Sequence, residues 1–186
     1  MHGPLATFPP EAGDTATLVP AALRDRGLNL RTVVDADLPW LRQLYRDLRA
    51  EELAPLQWPT AAQSAFADNQ FALQHAHYLA HYRAADFLLI EQRGEPVGRY
   101  YLLRQTADCP DDYLIVDISL CTKRRGQGIG RALIAQTQQQ AAGRGAGVRL
   151  HVRHDNTRAQ QLYARLGFAA TGDRGVDLAM RWCATR

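Results

Sequence analysis

The sequence predicts one mixed α/β (α+β) domain, a central β-sheet with helices packed on it. Three observations carry this. Apolar residues recur at helical spacing up to about residue 82, then change to period two and continuous apolar runs from Asp86. A mostly apolar strand, "DYLIVDISL", leads into a glycine-rich loop and then a helix. Two short apolar stretches close the chain around "GDRG", the pattern of a hairpin. The chain has 186 residues, 46% hydrophobic and 22% charged, enough for one full core and against disorder.

The elements follow in order. Residues 1–26, rich in Pro, Ala, Gly and Thr, lack periodicity and are expected as a flexible N-terminal arm, with the domain spanning 27–186. "LNLRTVV" reads as a first strand. A helix follows, with Asp35 or Asp37 as its cap, Pro39 in its first turn, and Leu38, Leu41, Leu44, Tyr45 and Leu48 on one face. "APLQWP" breaks it. A second helix is expected from about Thr60 to Tyr82, with Phe66, Phe71, Leu73, Tyr78 and Leu79 apolar and Gln63, Gln70, Gln74, His75, His77 and His81 on the rest. "DFLLIEQ" and "EPVGRYYLL" form a hairpin through Arg93–Gly94–Glu95. "DDYLIVDISLC" is apolar on both faces and is expected to be a buried central strand. A helix from about Gly128 to Ala142, the strand "VRLHVR", the short helix "TRAQQLYARLG" and the strands "FAAT" and "VDLAMRW" complete the domain.

Composition limits the function. The net charge is +3, and no basic run is interleaved with aromatics, so nucleic acid is not an expected partner. Lys123 is the only lysine. Cys109, Cys121 and Cys183 have no paired spacing, and no secretion signal or membrane-length apolar run is present. A cytoplasmic protein without membrane contact is expected. His77 and His81 are spaced i, i+4, but no third ligand is fixed, so no metal site is expected.

The informative stretch is "KRRGQGIGRALIAQ", Lys123 to Gln136, with glycines at 126, 128 and 130. A strand, a glycine loop and a helix start together offer free N–H groups and the positive end of a helix dipole, which suits phosphate. A P-loop needs a lysine where Arg131 stands, and both frames of the dinucleotide fingerprint fail, at Arg131 and at Leu133. "RGQGIG", Arg125 to Gly130, resembles the R/Q-x-x-G-x-G/A motif of the GCN5-related N-acetyltransferases. "NTRAQQLYARLGF", Asn156 to Phe168, is similar to that family's N-x-x-A-x-x-L-Y-x-x-x-G-F. The resemblance is detailed from about Asp112 to Phe168 and loose over residues 28–111.

It implies a twisted mixed sheet flanked by helices and transfer of an acetyl group from acetyl-coenzyme A to a primary amine by direct attack in a ternary complex. The alternative is a non-catalytic acyl-coenzyme A-binding module on the same fold. By resemblance, Arg125, Gly126, Gln127, Gly128, Ile129, Gly130 and Arg131 would hold the pyrophosphate, with Arg124 adding charge. The backbone of Ile118 and Leu120 would hold the pantetheine arm, with a bulge opening the slot. Asn156 would bind the cofactor or cap its helix. Tyr163 would be the general acid to the thiolate, or a tyrosine packed on the sheet. Asp117 would be the general base, or an aspartate paired with an arginine; Glu51, Glu52 and Asp86 are its rivals. The second helix would cover the acceptor, a small-molecule or peptide amine. The last strand, "VDLAMRW", offers an edge for a homodimer.

Overall fold

The structure is a computed structural model and describes residues 5–9, 16–104 and 112–184. Cys109 and residues 1–4 and 10–15 of the expected arm lie outside these. Among the described residues seven strands form one sheet, ordered β1-β2-β3-β4-β5-β7-β6. They are β1 (Leu28–Thr32), β2 (Asp86–Gln92), β3 (Glu95–Leu103), β4 (Asp112–Leu120), β5 (Gly147–Arg153), β6 (Ala169–Arg174) and β7 (Asp177–Trp182). Only β4 and β5 run parallel. The helices are α1 (Ala21–Arg24), α2 (Leu38–Leu53), α3 (Thr60–His81), α4 (Ile129–Ala142) and α5 (Thr157–Arg165). The mixed α/β expectation therefore stands, and the β2–β3 turn is the expected one: Arg93 and Gly94 both have positive φ, at 55° and 81°.

Strand alternation divides the core. One face buries Leu30, Leu88, Ile90, Tyr100, Ile115 and Val148 against α1, α4 and α5. The other buries Leu89, Phe87 and Tyr101 against Leu41 and Tyr45 of α2 and Phe71 of α3. The N-terminal stretch does not stand apart over its described length. Leu18, Val19 and Leu23 are in the first core, and Gln136 and Gln140 of α4 both donate to the Thr17 carbonyl. A loop without periodicity still docks when a few large apolar side chains reach the core. Asp37 stands at the N-cap of α2 as expected, but its side chain makes no capping bond to the helix: it is paired with Arg31 and accepts from the Val34 N–H, while Asp35 accepts from the Phe8 N–H.

Two further differences matter. β7 is not an edge. The closing hairpin inserts β7 between β5 and β6, so both of its edges are paired and it is not free to pair with a second copy; β6 is the edge. Second, His75, expected among the polar decoration of α3, is 4% exposed. Its ring stacks on Phe71 at 5.9 Å, meets Phe8 edge-on at 4.8 Å, and its Nε2 lies 2.6 Å from the Ala6 carbonyl oxygen. Burial, with some help from Arg99, holds this imidazole below the ordinary histidine pKa. The unfolded chain therefore takes a proton that the folded chain refuses. This part of the stability is fully present above the unfolded value, about 6.5, and is lost as pH falls below it. Urea midpoints measured on both sides of that value should fall more in the native protein than in His75→Gln. Equal losses in the two would contradict the assignment.

Candidate active site

The expected central strand is buried only over its first half. Residues 112–115 are buried, and from Val116 onward β4 is half-exposed. The cause is a split sheet. β4 pairs with β5 only from Asp112↔Gly147 to Ile115↔Leu150. Its register against β3 slips between Tyr101↔Asp117 and Leu102↔Ile115, which leaves Val116 bulged out. Beyond the bulge β4 stays with β3 and β5 turns away with β7, opening a cleft. The Cys121 N–H is given to Val97 of β3. Strand alternation then turns the N–H groups of Leu120 and Ile118 towards the cleft. The side chains of Ile118 and Leu120 point the other way, against the start of α4, about 3.7 and 3.9 Å from where a Gly130 Cβ would stand.

The glycine loop lies at the open end of this cleft. Gly126 and Gly128 have φ of 76° and 79°, which only glycine adopts readily, and Gly128 is the N-cap of α4. The first helical bond runs from the Ala132 N–H to the Gly128 carbonyl. Among the described residues, no protein acceptor takes the N–H groups from Gly126 through Arg131. A row of unpaired amides at the positive end of a 14-residue helix fits a pyrophosphate. No atom lies within 4 Å of a Cβ built on Gly128, so the cradle is open. The Arg125 Nε donates to the Leu120 carbonyl at 3.2 Å, tying the loop to the strand end. Ile129 is 1% exposed, so only its backbone is available to a ligand. The Gln127 amide is used on the Lys123 carbonyl. Arg131 is exposed.

Asn156 caps α5: its Oδ1 accepts from the Ala159 N–H at 3.1 Å. One neighbour of the loop was not legible in the sequence. The Arg158 guanidinium comes within 3.9 Å of the Gly126 Cβ position. No local signal marks it, because only the fold brings α5 against the loop.

Tyr163 is 8% exposed and packs on Phe168 with ring centroids 5.8 Å apart. No hydrogen bond to its hydroxyl is found among the described residues. Burial, and then the charge of Asp117, push its pKa up to about 12. The hydroxyl thus keeps its proton at every physiological pH, and no group among the described residues takes it.

Asp117 has the opposite character. Its carboxylate accepts from Arg99 Nη2 at 2.8 Å and Nε at 3.2 Å, from the Tyr78 hydroxyl at 2.9 Å and from the Ser119 hydroxyl at 2.7 Å. Arg99 also donates to Gln74 of α3 at 2.7 Å, and its guanidinium lies 5.3 Å from the Tyr101 ring. Burial opposes the Arg99 charge, and Asp117 together with Tyr101 and Tyr78 outweighs it, so the guanidinium stays firmly protonated. Of the two readings of Asp117, the structure shows the arginine-paired one. Its rivals are placed differently. Asp86 is tied to Arg104 at 2.7 Å. Glu51 and Glu52 are exposed at the end of α2, and Glu52 pairs with Arg49. No group of three His, Cys, Asp or Glu residues suited to a metal, and no helix long and apolar enough to cross a membrane, is found among the described residues.

A phosphate cradle beside a sheet split by a bulge matches the class of acyltransferases that use coenzyme A. The comparisons give the family. Residues 41–168 match the family model described as the acetyltransferase (GNAT) family. A search of curated proteins finds no match. Among solved structures, the chain resembles the PaiA N-acetyltransferase of Thermoplasma acidophilum in complex with coenzyme A: TM-score 0.61, 15% identity, covering 84% of this chain and 99% of that one. It also resembles RimJ of Mycobacterium smegmatis in complex with CoA-disulfide: TM-score 0.57, 20% identity, 84% and 82% covered. A third is a chimera built on the spermidine N-acetyltransferase SpeG of Vibrio cholerae: TM-score 0.56, 19% identity, 84% and 95% covered. The chain belongs to the GNAT acetyltransferase family. It is an acyltransferase, and acetyl-coenzyme A is the family's acetyl donor.

Proposed function

We propose that the protein transfers the acetyl group of acetyl-coenzyme A to a primary amine that attacks directly in a ternary complex in the β4–β5 cleft. The observation that carries this is the row of unpaired amides, Gly126 through Arg131, opening onto that cleft. The bound thioester supplies an activated acetyl group and a thiolate that can leave. The chain's own residues do the rest. The loop amides, with Arg124, Arg125, Arg131 and Arg158 around them, hold the pyrophosphate at about 1.5–3 kcal/mol per charge-assisted bond. The cleft-facing N–H groups of Ile118 and Leu120 hold the pantetheine arm and polarise the thioester carbonyl.

Tyr163 donates a hydrogen bond to the leaving sulfur. Complete transfer of its proton to a thiolate of ordinary pKa would be uphill by about 5 kcal/mol, so a strong donated bond is the cheaper help. An alkyl amine must lose a proton before attack, at a cost of about 4–5 kcal/mol at neutral pH. Asp117 is occupied by its donors, so we assign that proton to solvent at the open mouth of the cleft.

Gly128→Val tests the cradle. A β-branched residue strains a backbone at φ 79° and sets methyl groups over the amides. The KM for acetyl-coenzyme A, read by amine-dependent thiol release, should rise about tenfold or more, since losing one charged hydrogen bond costs that much. The acceptor KM should hold. An unchanged KM for acetyl-coenzyme A, or a native protein that does not bind it, would overturn the reading.

A further inference from the structure

The acceptor side of the cleft holds a feature that the acetyltransferase reading does not use. A cavity of about 220 Å³ opens on the α3 face of the sheet. Four ionisable side chains other than a tyrosine line it, His81, Arg149, His151 and Arg174, and all are basic; no carboxylate lines it among the described residues. Its apolar walls include Leu103, Leu114 and Ala179. The basic lining follows from the strand pattern of "VRLHVR". Val148, Leu150 and Val152 face the α4 core, so Arg149, His151 and Arg153 share the opposite face. α2 and α3 pack over β1–β4 and leave this part of the sheet open.

Among the described residues, two carboxylates stand beside three arginines here. Asp112 is shared between Arg181, at 2.7 Å, and Arg149, at 3.6 Å. Asp177 stands opposite Arg174 in the closing hairpin. The field reaches His151, whose imidazole is held below the ordinary histidine range by burial and then by Arg174, with Arg149 adding to it against Asp177.

The position is as telling as the charge. Leu114 pairs with Arg149, Ile115↔Leu150 is the last pair before the cleft, and His151 is the first residue past it. The cavity therefore lies at the closed end of the cleft, three strand residues from Asp117, or about 10 Å. We propose that it receives an anionic group, a carboxylate or a phosphate, borne by the amine acceptor. The acceptor is then a small amino acid or amino-phosphate whose amine lies within about 10 Å of its acid. A polycation such as spermidine, the substrate named for one structural neighbour, is repelled. This rests on the acetyltransferase reading for its acceptor, but not for the anion site.

Two measurements separate the parts. Inorganic phosphate and acetate are titrated separately into the full chain at constant ionic strength, with the His151 ring signal followed by proton NMR and assigned through His151→Gln. Saturable shifts of that signal, weakened at least tenfold in Arg174→Gln, are expected. No shift with either anion, or equal binding by Arg174→Gln, overturns the anion site. Thiol release from acetyl-coenzyme A is then compared for 4-aminobutyrate against its amide, phosphoethanolamine against ethanolamine, and spermidine. Acid-bearing amines should be preferred, and Arg174→Gln should raise their KM at least tenfold while sparing that of acetyl-coenzyme A. A preference for 4-aminobutyrate assigns a carboxylate, and one for phosphoethanolamine a phosphate. A preference for the neutral partners or spermidine overturns the acceptor class. Anion binding without any binding of acetyl-coenzyme A would instead sink the acetyltransferase reading.

Discussion

Asp117→Ala should lower stability by about 3–5 kcal/mol, because it leaves the guanidinium of Arg99 buried without its counter-charge. Arg99 is 3% exposed, and Gln74 and two aromatic rings are what remain around it. For a chain of this length the melting temperature should fall by roughly 6–20 °C. The double variant Arg99→Met, Asp117→Ala should recover most of the loss, since replacing both members of a buried pair with apolar groups is often neutral. Chemical unfolding of the three proteins reads this. A single variant as stable as the native protein, or a double variant no better than the single, would contradict the pairing. The double variant also settles the role of Asp117. If the carboxylate only holds the sheet and α3 together, activity returns with stability. If it is the base, the double variant folds and stays slow.

Tyr163→Phe should have the largest effect on turnover, a fall in kcat of about 10²–10⁴-fold. The same change should cost little stability, because the hydroxyl has no partner to lose among the described residues. The KM for acetyl-coenzyme A should also hold, since the loop and strand amides are untouched. Steady-state kinetics with a fixed acceptor and a melting curve check both halves. An unchanged kcat would place the tyrosine in the core only. A loss of stability matching the loss of rate would point to a packing role.

These two residues also show what local sequence pattern carries and what it does not. The strands, the long helices and the glycine loop are legible because each depends on residues adjacent in the chain: period two from Asp86, period 3.6 before it, and three glycines ahead of a helix. Tyr163 is legible as part of a motif on one short helix. The pairing of Asp117 with Arg99 is not. The two are 18 residues apart on neighbouring strands, and their contact depends on register, which a one-residue slip would reverse. The same holds for the insertion of β7 between β5 and β6, where the sequence shows a hairpin but not which strand turns inward. His75 reads as polar decoration because its neighbours on α3 do; its burial depends on Phe8 and Ala6, 69 residues away in the latter case. The buried half of β4 is legible in its apolar run; its open half has no local sign there, and only the family resemblance implied the bulge.

The central claim is that the amides of Gly126 through Arg131 cradle the pyrophosphate of coenzyme A. Thermal unfolding with coenzyme A, acetyl-coenzyme A, NAD and ATP tests it most directly. At about 100 times its Kd, a ligand of the folded state adds about 2.7 kcal/mol, a rise of roughly 5–11 °C here. The account predicts that rise with coenzyme A and acetyl-coenzyme A in the native protein, and its loss in Gly128→Val. A rise with NAD or ATP alone, or no rise with either thioester or thiol, would contradict it.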